Sequence, residues 1–159
     1  MIDSLQQFVS GLPVWLQWLA IIAMSAVPFI ESYLGASIGV LVGMNPLLAA
    51  LLAVVGNTAS MLVVVHIARA VRVRRNGVRR ADANQAPNTI QEGARPAALL
   101  GSGSLPAVSI LGQLAVASHV VAAAQIGKGT EIGKVVFWQV VSIALWAKVF
   151  ALVTAILIS

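Results

Sequence analysis

Residues 26–44 read AVPFIESYLGASIGVLVGM, an apolar run carrying one proline and one carboxylate, Glu31. The run is the second part of a longer stretch, residues 12–44, in which Glu31 is the only formal charge. One helix needs about 20 apolar residues to cross a bilayer, so this stretch is too long for one span and too short for two. Pro28 and the pair Glu31-Ser32 interrupt it, and Gly35 follows. The piece after the break, residues 34–44, would be roughly 16 Å long as a helix, about half a bilayer. Two half-helices meeting at a polar break describe a re-entrant hairpin, which persists in lipid only where protein or water satisfies the freed backbone groups. The other reading is a kinked full helix over residues 12–30 followed by an interfacial helix.

The same grammar recurs downstream. Residues 46–68 hold no formal charge and make one span; residues 135–158 make another, with Lys148 near the middle. Residues 97–127 are again an awkward length. Gly101-Ser102-Gly103-Ser104 and Pro106 open that stretch, and Gly112-Gln113 is read as its break, leaving residues 114–126 as a second short piece. The fold expected is an all-α integral membrane protein: two re-entrant helical hairpins plus two full transmembrane helices in a single membrane domain over residues 1–159. Residues 12–68 and 97–159 would be its two hairpin-plus-span halves, and residues 69–96 the loop between them. Hairpin then span, repeated in the opposite sense, is the logic of an inverted-topology repeat. An offset of 81 sets Ser37 on Ser118, and one of 82 sets His66 on Lys148.

Composition agrees with the bilayer reading. Hydrophobic residues are 59% of the 159 and charged residues 9%, against about 45–50% and 25% in soluble domains. There is no cysteine, which excludes disulfides, thiolate metal sites and cysteine nucleophiles. The net charge of +5 is local. Arg69, Arg72, Arg74, Arg75, Arg79 and Arg80 crowd directly after the second stretch, and the seventh Arg, Arg95, lies in the same window. The positive-inside rule puts that cluster in the cytoplasm, and a juxtamembrane basic cluster also suits anionic lipid rather than nucleic acid. Residues 81–96 read as a flexible cytoplasmic linker. Walking outward from it, both termini fall outside.

Glu31 leads the residues that could carry chemistry. An ionisable side chain among Phe29, Ile30 and Leu34 is costly in lipid, so it faces protein or water and marks an ion or proton path, unless it ends a helix at the interface. Lys148 has Ala144, Ala151 and Ala155 at helical spacing, a small-residue face, and is expected to point at protein, where it could pair with Glu31 or meet an anionic group. Asn57 sits in Gly56-Asn57-Thr58 beside a stripe of Ala49, Ala53, Gly56 and Ser60, and Gly35, Gly39 and Gly43 repeat at four-residue spacing; close packing accounts for both stripes. Gln113 and His119 lie in the second hairpin, and Ser37 in the first. Enzyme signals are absent: no zinc-protease helix motif, no nucleophile turn, no phosphate-binding loop with its Lys. No cofactor or metal is expected.

At Pro28-Phe29-Ile30-Glu31, Gly35-Ala36-Ser37-Ile38-Gly39-Val40, Gly43-Met44-Asn45-Pro46-Leu47-Leu48-Ala49 and Gly56-Asn57 the chain resembles the bacterial and archaeal small multidrug export family, which is similar in design to DedA-like membrane proteins. The resemblance is strongest over residues 28–75. It implies a multi-pass protein of the prokaryotic plasma (inner) membrane with an embedded acid, which maps onto Glu31. Ser32 and Tyr33 stand where family members often carry an Arg. Ser109-Ile110-Leu111-Gly112-Gln113 stands where they often carry a Pro- and Gly-rich turn.

The function expected is a small secondary transporter, proton-coupled, exporting small hydrophobic or cationic compounds. The alternatives are a DedA-like lipid-phosphate (polyprenyl phosphate) translocase, with Lys148, His119 and half-helix N-termini receiving the phosphate, and a non-transporting membrane scaffold. The expected partners are the bilayer, anionic lipid at the Arg cluster, a small-molecule or lipid substrate, and a second copy of the chain in a homodimer or larger homo-oligomer, with no nucleic acid.

Overall fold

A computed structural model describes residues 2–83, 104–115 and 117–159. Seven helices and no strands are found among them: α1 (Ile2–Ser10), α2 (Val14–Ser25), α3 (Glu31–Leu41), α4 (Pro46–Ala83), α5 (Leu105–Ala115), α6 (Ser118–Gly127) and α7 (Ile132–Ile158). Two of them, α4 and α7, are long and apolar enough to cross a membrane. Their outward residues are large and apolar: Leu51, Val55, Val63 and Ile67 on α4, Phe137, Leu145, Leu152 and Ile156 on α7. The interior, by contrast, holds Glu31, Ser32, Asn57, Ser109, Gln113, Ser118, His119, Gln139 and Ser142. Polar groups inside and bare hydrocarbon outside reverse the pattern of a water-soluble bundle and fit a lipid solvent.

α4 and α7 pack antiparallel. Ala49 and Ala53 near the start of α4 share a cluster with Ala147 and Ala151 near the end of α7. Met61 and Val65, further along α4, share one with Val135 and Ile143 on the early part of α7. Small residues set how closely the short helices approach. A side chain at Gly56 would strike the backbone carbonyl of Ile22 on α2, one at Gly35 would strike Ser25 Oγ, and one at Gly39 would stand 2.7 Å from Ala49 Cβ.

Each half runs short helix, short helix, long helix, and the second joint in each half is built identically. At the end of α3, Gly43 has φ +90°, its N–H donates to Val40 O and that of Met44 donates to Gly39 O, both at 3.0 Å. At the end of α6, Gly129 has φ +98°, its N–H donates to Ile126 O at 3.0 Å and that of Thr130 to Gln125 O at 3.1 Å. These are Schellman caps, in which the positive φ favours glycine.

Three boundaries differ from the sequence reading. The first break falls at residues 26–30, so Glu31 opens α3 rather than interrupting it, and Gly35 is a packing residue inside α3. The second break is not at Gly112-Gln113: α5 runs through both to Ala115, and Ala117, extended with ψ 139°, precedes α6. A lone glycine costs a helix only about 1 kcal/mol, too little to end it without a partner for the freed groups. The third is the basic segment, where α4 continues through the arginines to Ala83. Residues 84–96 of the expected linker and Gly101-Ser102-Gly103 lie outside the described residues.

Candidate functional site

The first break delivers a carboxylate to the middle of the molecule. Phe29 has φ +76° and Glu31 φ +56°, left-handed backbone that costs a non-glycine residue on the order of 1–3 kcal/mol and is found where surrounding structure imposes it. The result is that the Glu31 side chain, fully buried, meets the side of α4 beside Asn57 and the start of α6. Asn57 is about 16 Å along α4 from its first residue, half a bilayer's depth.

Every contact to Glu31 suits an acceptor. Oε1 accepts from the Ser118 backbone N–H at 2.7 Å and from Ser118 Oγ at 2.9 Å. Oε2 accepts from Asn57 Nδ2 at 3.2 Å. His119 Nδ1 stands 3.4 Å from Oε1, and its Nε2 is 2.9 Å from Ser60 Oγ. The arrangement assigns the proton to Nδ1, since a bare Nδ1 lone pair would face the carboxylate; a neutral ring then accepts from Ser60 at Nε2. Ser118 is the first residue of α6, so the carboxylate also sits at the positive end of that helix. The contacts tie the two halves: Asn57 belongs to the first, Ser118 and His119 to the second.

Around this centre Ser32 Oγ donates to Ile143 O at 3.1 Å, binding the start of α3 to α7. Beside His119, an open groove of about 430 Å³ is lined by Phe29, Val64, Val120 and Ala123 together with Pro28 and Ala124. Its walls are apolar.

Of the residues expected at the site, Glu31, Asn57 and His119 come together, and Pro28 lies in the break that positions Glu31. Ser37 is one turn away on α3, donating to Tyr33 O and accepting from Thr154 Oγ1, each at 3.0 Å. Gln113 is buried elsewhere, against Ser142 of α7. Lys148 is a correction: it lies exposed on α7 and makes no ion pair with Glu31. Ala147 and Ala151, not the face that carries Lys148, are what α7 turns toward α3. Asn57 does more than pack, because its amide reaches the carboxylate while neighbouring Gly56 takes the α2 contact. Ser118 and Ser60 were not picked out as site residues; the one legible signal was a serine opening an apolar helix, a common N-terminal residue.

At the far end, Arg72 packs beside Gly129, bringing the basic end of α4 over the turn that carries Lys128. Lys134 pairs with Glu131 at 2.9 Å on the surface. No protein family, curated protein or solved structure matches this chain.

Proposed function

We propose that the protein is a small secondary exporter, coupled to protons, for small hydrophobic or cationic compounds, and that Glu31 is the group that binds and releases the proton. The observation that carries this reading is the full burial of Glu31 among donors contributed by both halves. An ionisable residue at half-bilayer depth marks an ion path by default. The chemistry supplies the coupling. As a carboxylate, Glu31 accepts from Ser118 and Asn57. Once protonated, one oxygen becomes a donor among donors, and a contact on that oxygen must open. If that oxygen is Oε1, the lost contacts are those to Ser118, which hold the halves together. His119, between Glu31 and the groove wall, is the residue that passes the proton.

The membrane architecture belongs to the same proposal: α2–α3 and α5–α6 are re-entrant hairpins, and the halves are inverted repeats in a prokaryotic inner membrane. The antiparallel α4 and α7 support the inversion. So do paired contacts at an offset of about 86 residues: Gly43 and Gly129 as caps, Ser32 with Ile143 and Ser118 with Asn57, and Gly56 against Ile22 O as Ser142 is against Ser109 O. Offsets of 81 and 82 match none of these. Membership of the small multidrug export family, akin in design to DedA-like proteins, rests on the motif resemblance and this shared plan. Anionic lipid at the Arg cluster, a cytoplasmic position for that cluster and assembly as a homodimer complete it. The lipid-phosphate reading loses support because the α6 N-terminus, where a phosphate would bind, already holds Glu31, and Lys148 faces outward.

The test is proton release from the purified protein on adding each of a panel of lipophilic cations and lipid phosphates. Release with cations supports export; release with lipid phosphates alone, or with neither, rejects it.

A further inference from the structure

A second polar cluster lies between α5 and α7 and shares no residue with the Glu31 site. Ser109 and Gln113 stand four apart on α5, Gln139 and Ser142 three apart on α7, and none is more than 2% exposed. Ser142 Oγ is 2.9 Å from the Ser109 carbonyl oxygen and 2.6 Å from Gln113 Oε1. A hydroxyl has one proton and cannot donate to both. Turning the Gln113 amide over resolves the conflict: its Nε2, which otherwise has no partner, donates to Ser142 Oγ, and Ser142 donates to the Ser109 carbonyl. Gln113 Oε1 is then left without a donor. Ser109 Oγ and both ends of the Gln139 amide are buried and unpartnered as well. Buried polar groups in native proteins are almost always satisfied, so this many on two facing helices points to a guest.

The chemistry of the oxygens selects it. Gln113 Oε1, Gln139 Oε1, Ser109 Oγ and Ser142 Oγ are hard, uncharged donors, which favour a hard cation over a transition metal. None is a carboxylate, so a double charge would be left uncompensated in a low-dielectric interior. A water could donate to only two of the oxygens, whereas a cation engages all of them. We propose that Ser109, Gln113, Gln139 and Ser142 form a binding site for a monovalent alkali cation of sodium's size. Such a site would give the protein an ion input distinct from Glu31.

Trp146 reports on it, since it follows Ser142 by one turn and its Nε1 donates to Ile110 O on α5 at 2.9 Å. With Trp15, Trp18 and Trp138 changed to Phe, the full-length protein is titrated with NaCl against choline chloride at constant ionic strength. Trp146 fluorescence and thermal unfolding are both followed. The expected result is a saturable, sodium-specific change in fluorescence and a rise in Tm with sodium, as for any ligand that binds only the native state. Gln139→Leu should weaken half-saturation by about tenfold or more, the scale seen when support for a metal site is removed. That variant also deletes an unpartnered buried amide, so its Tm without sodium should hold or rise, separating lost binding from lost folding. Glu31→Gln should keep the sodium response. Neither a fluorescence nor a Tm response specific to sodium, or a response unchanged in both Gln139→Leu and Ser109→Ala, overturns the site.

Discussion

Ser118 supplies two of the contacts to Glu31, one through its backbone and one through its hydroxyl. Ser118→Ala keeps the first and loses the second. A hydrogen bond to a charged group contributes about 1.5–3 kcal/mol, so this variant should unfold at lower temperature in detergent, with the loss confined to proteins that retain Glu31. In a Glu31→Gln background the cost of Ser118→Ala should shrink, which a double-mutant cycle measures. Lys148→Met makes the opposite prediction. Its side chain is exposed and apart from Glu31, so substrate-driven proton release should match the parent protein. Glu31, Asn57 and His119 were legible in the sequence because each is a polar interruption in an apolar run. Lys148 was misread by the same logic: centrality along a helix says nothing of which face it occupies, and the small-residue stripe that turns inward, Ala147–Ala151, is one residue away. Ser118 was invisible because a serine in an apolar helix is too common to single out.

Among the elements, the short helices and the two long ones follow from apolar length and punctuation. The second break does not. Gly112-Gln113 is the stronger local signal, yet α5 runs through it. Residue 118 instead opens α6, where Glu31 accepts from its N–H, a contact from 87 residues away that no local pattern reports. The repeat was equally hidden, because its matches are contacts and caps rather than identical residues. Two glycines separate the causes of glycine use at this scale. Gly56→Ala would drive a methyl into the Ile22 carbonyl and should destabilise by about 1–3 kcal/mol through overpacking. Gly43→Ala meets nothing within 4 Å but keeps φ at +90°, so it should cost about 1 kcal/mol, from backbone conformation alone. Thermal unfolding in one detergent, with sulfhydryl-free protein, compares the two directly.

The halves of the molecule meet at Glu31, and the proposed transport cycle is the making and breaking of that junction. Its orientation is checkable because the chain has no cysteine. Asn45→Cys and Ser159→Cys should react with an impermeant thiol reagent added outside intact cells, and Asn88→Cys and Thr130→Cys should not; labelling of Asn88→Cys from outside would reverse the topology. The central claim is that the Glu31 proton drives transport. It is tested most directly by flux of a lipophilic cation into or out of liposomes under an imposed pH gradient, comparing the parent protein with Glu31→Gln. The variant keeps the shape and should reconstitute to the same level. The account predicts gradient-driven flux for the parent and only the protein-free leak for Glu31→Gln, whereas flux at the parent rate in Glu31→Gln would contradict it.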